Sequence, residues 1–103
     1  KPRTDSPSTT RLALLARAPN HVYQLRWDLA ELSRGHFQVA YGRLYPLLQA
    51  LEKKGLVKGR WAKAGRVRQK RMYAITRRGR VELKDRIWRW RRFASHMTLL
   101  LDA

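Results

Sequence analysis

Apolar residues recur at helical spacing in three stretches of the first half of the chain. Leu12, Leu15 and Ala16 share one helical face, with Thr9 or Thr10 placed to cap its start and Pro19-Asn20 marking its end. Val22, Leu25, Leu29 and Leu32 follow at spacings of three, four and three. They predict a second helix capped by Asn20 and stopped at Arg34-Gly35. Phe37 and Val39 alternate within His36 to Val39, the pattern of a brief strand. A third helix is expected from Tyr41 to Lys54, turning Leu44, Leu47, Leu48 and Leu51 inward and ending at Gly55 in a left-handed cap. Pro46 is expected in its first turn, because a deeper proline clashes with the carbonyl four residues back; the helix then starts near Ala40 to Arg43. Free backbone N–H groups and the positive dipole end at that start suit a phosphate.

The period then changes from helical to alternating. Leu56 to Lys63 and Arg66 to Thr76 read as a β-hairpin turning at Ala64-Gly65, with Val57, Trp61, Val67, Tyr73 and Ile75 on one parity and Lys58, Arg60, Arg68 and Lys70 on the other. Gln69 and Arg71 fall on the apolar parity and Met72 and Ala74 on the polar one, which predicts a bulge or a frayed tip. A last helix, capped by Thr76 and reaching Leu101, carries Leu83, Ile87, Trp90, Ala94, Met97 and Leu101 as a heptad seam. Such a helix cannot bury both that seam and Val81, Trp88, Phe93 and Leu100 on one small core, so a second copy of the chain is the expected partner.

Three helices followed by a two-stranded ribbon give a mainly α fold with a small β-hairpin wing (α+β), the order of a winged helix-turn-helix. The expected division is a polar and basic disordered arm over 1–10, the winged helix-turn-helix over 11–76 and a C-terminal dimerisation helix over 77–103. Composition sharpens the functional reading. The 103 residues suffice for one compact domain, and the formal charge of +17 calls for a polyanion. The absence of cysteine removes disulfides, thiolate metal sites, cysteine nucleophiles and lipidation at cysteine, and fits a reducing compartment. No apolar run approaches the roughly 20 residues that span a bilayer, and residues 1–10 lack the apolar centre of a secretory signal, so no membrane association is expected. His21, His36 and His96 are scattered over different elements, which gives no catalytic or metal-ligand spacing. No enzyme activity, metal or cofactor is expected.

Between Lys53 and Val81 there is no acidic residue, while Lys53, Lys54, Lys58, Arg60, Lys63, Arg66, Arg68, Lys70, Arg71, Arg77, Arg78 and Arg80 are basic. Ordinary surfaces intersperse both signs, so this stretch points to an external polyanion. The leucine stripe leaves Tyr41, Gly42, Arg43, Tyr45, Gln49 and Lys53 of the third helix outward as candidate DNA contacts. Arg43 suits guanine O6 and N7, Gln49 adenine N6 and N7, and Tyr45 sugar or phosphate, while Gly42 lets the backbone come close. Lys63, Arg66, Arg68 and Lys70 are the candidate wing contacts to the DNA backbone.

Tyr41-Gly42-Arg43-Leu44-Tyr45-Pro46-Leu47-Leu48, with Leu51-Glu52-Lys53-Lys54-Gly55-Leu56-Val57, resembles the signature of the PadR family of bacterial transcriptional regulators. His21-Val22-Tyr23 resembles the family's His-Gly-Tyr. Gly65-Arg66 with Met72 to Thr76 resembles its wing, and Trp88 to Ala94 its C-terminal helix. The resemblance covers about Leu12 to Leu101. It implies a cytoplasmic bacterial homodimer, a repressor that binds an inverted repeat in duplex DNA with one third helix of each subunit in a major groove. It further implies a place for a small aromatic effector between the C-terminal helices, lined by Trp88 and Trp90, although a tryptophan at a heptad position is more often interface core. Two positions depart from the family: Ala40-Tyr41-Gly42-Arg43 stands where Ser-Pro-Gly-Thr is usual, and Val22 replaces the glycine. Two other readings stay open: an architectural protein that coats DNA with little sequence preference, and an RNA-associated protein.

Overall fold

The computed structural model describes the backbone of residues 6–37, 41–64 and 68–103, and the side chains of all these except 6, 7, 41, 62–64 and 68–70. Among the described residues, four helices and a small antiparallel sheet follow one another as α1 (Ser6–Arg17), β1 (Asn20–His21), α2 (Val22–Leu32), α3 (Tyr41–Lys53), β2 (Val57–Ala64), β3 (Arg68–Ile75) and α4 (Arg77–Leu101). Leu12 and Leu15 of α1, Val22 and Leu25 of α2, and Leu44, Leu48 and Leu51 of α3 converge on one core. Leu56, Val57, Tyr73 and Leu83 close it from the sheet and from α4.

α1 starts at Ser6, ahead of the expected threonine cap, so residues 6–10 of the expected arm belong to a helix. Proline is tolerated in a first helical turn, and Arg86 of α4 donates to the hydroxyls of Ser8 (2.7 Å) and Thr9 (3.3 Å), a long-range tie that composition could not reveal. Asn20 does not cap α2. The N-cap is His21, without a side-chain bond, and Asn20 instead pairs with Tyr73 in a short third strand. Its amide donates to Asp28 at 3.2 Å. The sheet order is therefore β1-β3-β2. α2 ends in a Schellman motif, with Gly35 N–H on the Ala30 carbonyl and Arg34 N–H on that of Glu31. Here the left-handed residue is Arg34 itself, at φ 54°. Phe37 is in no strand, and the remainder of the expected His36–Val39 strand, from residue 38, lies outside the described residues.

α3 ends in the same motif, with Leu56 N–H on the Leu51 carbonyl, Gly55 N–H on that of Glu52, and Gly55 at φ 77°. Its start at Tyr41 agrees with the sequence, but Pro46 is its sixth residue and lies beyond the first turn. β2 and β3 pair continuously from Val57↔Ile75 to Ala64↔Arg68, so the described ladder holds no bulge. The parity mismatch has another cause. Arg71 occupies an apolar-parity position because its guanidinium lies 5.3 Å from the Trp61 ring centre and 5.8 Å from that of Tyr73, and bonds Glu52.

α4 is capped by Thr76, whose hydroxyl accepts from Gly79 N–H (2.9 Å) and donates to the Gly55 carbonyl (2.7 Å). One side chain thus joins the end of α3 to the start of α4. Among the described residues no helix is long and apolar enough to cross a membrane.

Candidate nucleic-acid interface

With Leu44, Leu48 and Leu51 buried, the opposite face of α3 presents Gly42, Arg43, Pro46, Gln49, Ala50 and Lys53, all exposed. Four of these are expected contacts; Pro46 and Ala50 complete the face. Tyr45 departs from the expected outward position. It is half-buried, and its ring meets that of Tyr73 edge-on at 6.4 Å, which ties the flank of α3 to β3. Burial pushes the Tyr73 phenol above its ordinary value. The side chain of Tyr41, the first residue of α3, lies outside the described residues.

Glu52, the only carboxylate of α3, is turned to the wing and accepts from Arg71 Nη2 at 3.2 Å and from Gly59 N–H at 3.1 Å. This brace has a steric requirement. A Cβ at Gly59 would come within 2.8 Å of Arg71 Nε and 2.9 Å of Tyr73 Cε1, so only glycine leaves room for the arginine across the strand pair. Sequence reading missed the brace because its partners are 19 positions apart; an arginine on the apolar parity was the available signal.

Among the twelve basic residues from Lys53 to Arg80, Arg71 is paired with Glu52. Lys53, Lys54, Lys58, Arg60, Arg77, Arg78 and Arg80 are exposed. They are distributed from the end of α3 along β2 to the first turn of α4. The expected wing contacts Lys63, Arg68 and Lys70 stand in the two strands with their side chains outside the described residues, as is the whole of Arg66.

The seam of α4 divides along its length. Leu83 belongs to the chain's own core, and Ile87 is packed against it. Ala94 is half-buried, Trp90 is exposed with its ring 6.0 Å from Phe93, and Met97 and Leu101 are exposed. Only the part from Trp90 onward is thus free to meet a second helix. Trp88 and Trp90 are two residues apart, about 200° around the helix, so they cannot line the same gap beside it. Trp88 stands away from the core, under the Arg92 guanidinium at 5.1 Å.

The model of the transcriptional regulator PadR-like family matches residues 12–85. A search of the curated proteins finds no match. Among solved structures, the chain resembles a transcriptional regulator from Clostridium thermocellum, with TM-score 0.81 and 20% identity over 89% of this chain and 86% of that one. It resembles a PadR family regulator from Eggerthella lenta, with TM-score 0.79 and 25% identity over 92% and 83%. It also resembles Bacillus subtilis PadR in complex with operator DNA, with TM-score 0.71 and 26% identity over 76% of this chain and 44% of that one.

Proposed function

The chain belongs to the PadR-like family of transcriptional regulators, and from that membership we propose that it binds duplex DNA as a homodimeric repressor at an inverted repeat. The observation that carries the reading is exposure combined with charge. The outer face of α3 exposes Arg43, Gln49 and Lys53, and the stretch that follows it exposes Lys54, Lys58, Arg60, Arg77, Arg78 and Arg80 with no acidic residue between Lys53 and Val81. A helix of this kind lies in the major groove while the adjacent ribbon follows the phosphates. In this arrangement Gly42, Arg43, Gln49 and Lys53 face base edges or nearby phosphates, Tyr41 and Tyr45 flank them, and Lys63, Arg66, Arg68 and Lys70 grip the backbone. The complex of Bacillus subtilis PadR with operator DNA supports the partner.

Two copies meet through the outer half of α4, where Trp90, Met97 and Leu101 have no place in the chain's own core. Sedimentation equilibrium is expected to give a dimer at micromolar concentration; a monomer there would refute the pairing. Selection of duplexes from a random pool, followed by footprinting, is expected to return a two-fold symmetric site. The charge of +17 favours a second reading, an architectural protein without sequence preference. Equal affinity for selected and unselected duplexes at one salt concentration would establish it and sink the first.

A further inference from the structure

Two of the residue types that helices tolerate least, glycine and proline, stand four positions apart on the outward face of α3. Packing does not ask for either. A Cβ at Gly42 would meet nothing within 4 Å, and the left-handed glycines among the described residues are Gly35 and Gly55. Pro46 is exposed, six residues into the helix, where its ring displaces the carbonyl four positions back.

Together the pair has one chemical effect. In an α-helix the carbonyl of residue 42 accepts from the N–H of residue 46, and proline has none. The Gly42 carbonyl is therefore deprived of its regular intrahelical donor, in an exposed residue whose missing side chain leaves the helix surface beside it open. Its neighbours on the face are rich in donors: Arg43 and Lys53 can only donate, and the carboxylate of Glu52 is engaged with the wing. The major groove also presents donors, the exocyclic amino groups of adenine N6 and cytosine N4, which arginine and lysine cannot accept from.

We propose that the main-chain carbonyl of Gly42, released by Pro46, is a base-reading acceptor that takes a hydrogen bond from an exocyclic amino group in the major groove. The proposal rests on the reading of α3 as the groove helix. It makes Pro46 a positioning residue for specificity, acting through the backbone of Gly42.

The test uses the full chain and duplexes that the wild type selects from a random pool. At each position, adenine is replaced by purine and cytosine by 2-pyrimidinone, which removes the amino group alone. Besides any adenine read by Gln49, the wild type is expected to lose about fivefold in affinity at one further position of each half-site, the worth of one neutral hydrogen bond. Purine and 2-pyrimidinone then tell adenine from cytosine. Pro46→Ala restores the missing N–H and is expected to melt at a higher temperature while showing no penalty at that position. It should keep the penalty at an adenine read by Gln49. A penalty at the further position that persists in Pro46→Ala, an equal flattening at every position, or a wild type indifferent to every amino group would overturn the inference alone. A wild type that selects no preferred duplex would overturn the regulator reading with it.

Discussion

Gly79 shows how one missing methyl group permits the packing of α4. Its position is buried, and a Cβ there would collide with the Leu56 carbonyl and lie 2.7 Å from Ile75 Cγ1. Backbone cannot yield as a flexible side chain does, so Gly79→Ala is expected to destabilise the fold by at least about 2 kcal/mol in urea titration, against the small gain that alanine brings to an open helix. Arg34 carries the opposite prediction. It holds φ 54°, a conformation that costs a residue with a Cβ about 1 kcal/mol, and its side chain is exposed, outside the hydrophobic core. Arg34→Gly is therefore expected to raise stability by several tenths of a kcal/mol up to about 1, read from the same titration. Among the described residues Arg11 is the buried charge. It is 3% exposed, donates to Thr10 Oγ1 at 2.7 Å, and burial pushes its guanidinium below the ordinary value.

Between elements, polar ties hold the interface surface together. Thr76 links the last turn of α3 to α4, Arg86 links α4 to the start of α1, and Glu52 links α3 to both wing strands. The last of these braces α3 against the ribbon beside it. Glu52→Gln keeps the shape and one acceptor oxygen but removes the charge that Arg71 requires. It is expected to speed hydrogen exchange at the Gly59 amide while leaving α1 and α2 unchanged, as nuclear magnetic resonance would report. Equal protection in the two proteins would mean that the cross-strand ladder alone orients the wing.

For the whole molecule, charge and its placement set the behaviour toward DNA. Each phosphate neutralised contributes about −0.9 to the slope of log affinity against log salt. Lys58 lies on β2, outside α3, so Lys58→Ala is expected to weaken binding to all duplexes alike and to reduce that slope by about one. Arg43→Ala is expected instead to flatten preference at particular base pairs. Anisotropy titrations of selected and unselected duplexes at several salt concentrations separate the two; identical profiles would refute the division of roles.

Most of the architecture was legible along the chain. The leucine stripes placed α2 and α3, Gly55 ended α3, Thr76 capped α4, and the change of period marked the wing, because helix and strand each bury a face at their own repeat. The basic stretch from Lys53 to Arg80 and the exposure of Gly42, Arg43, Gln49 and Lys53 on α3 were readable for the same reason: charge and period are local properties; Tyr45, turned against Tyr73, was not. Four features depended on contacts between segments distant in sequence. Ser8 and Thr9 became helical against Arg86, and Asn20 left its expected cap for an edge beside Tyr73. Arg71 took an apolar position because Glu52 was waiting there, and the seam of α4 surrendered Leu83 to the chain's own core. Local pattern determines which face a residue joins, but which partner occupies that face is decided only when the elements pack.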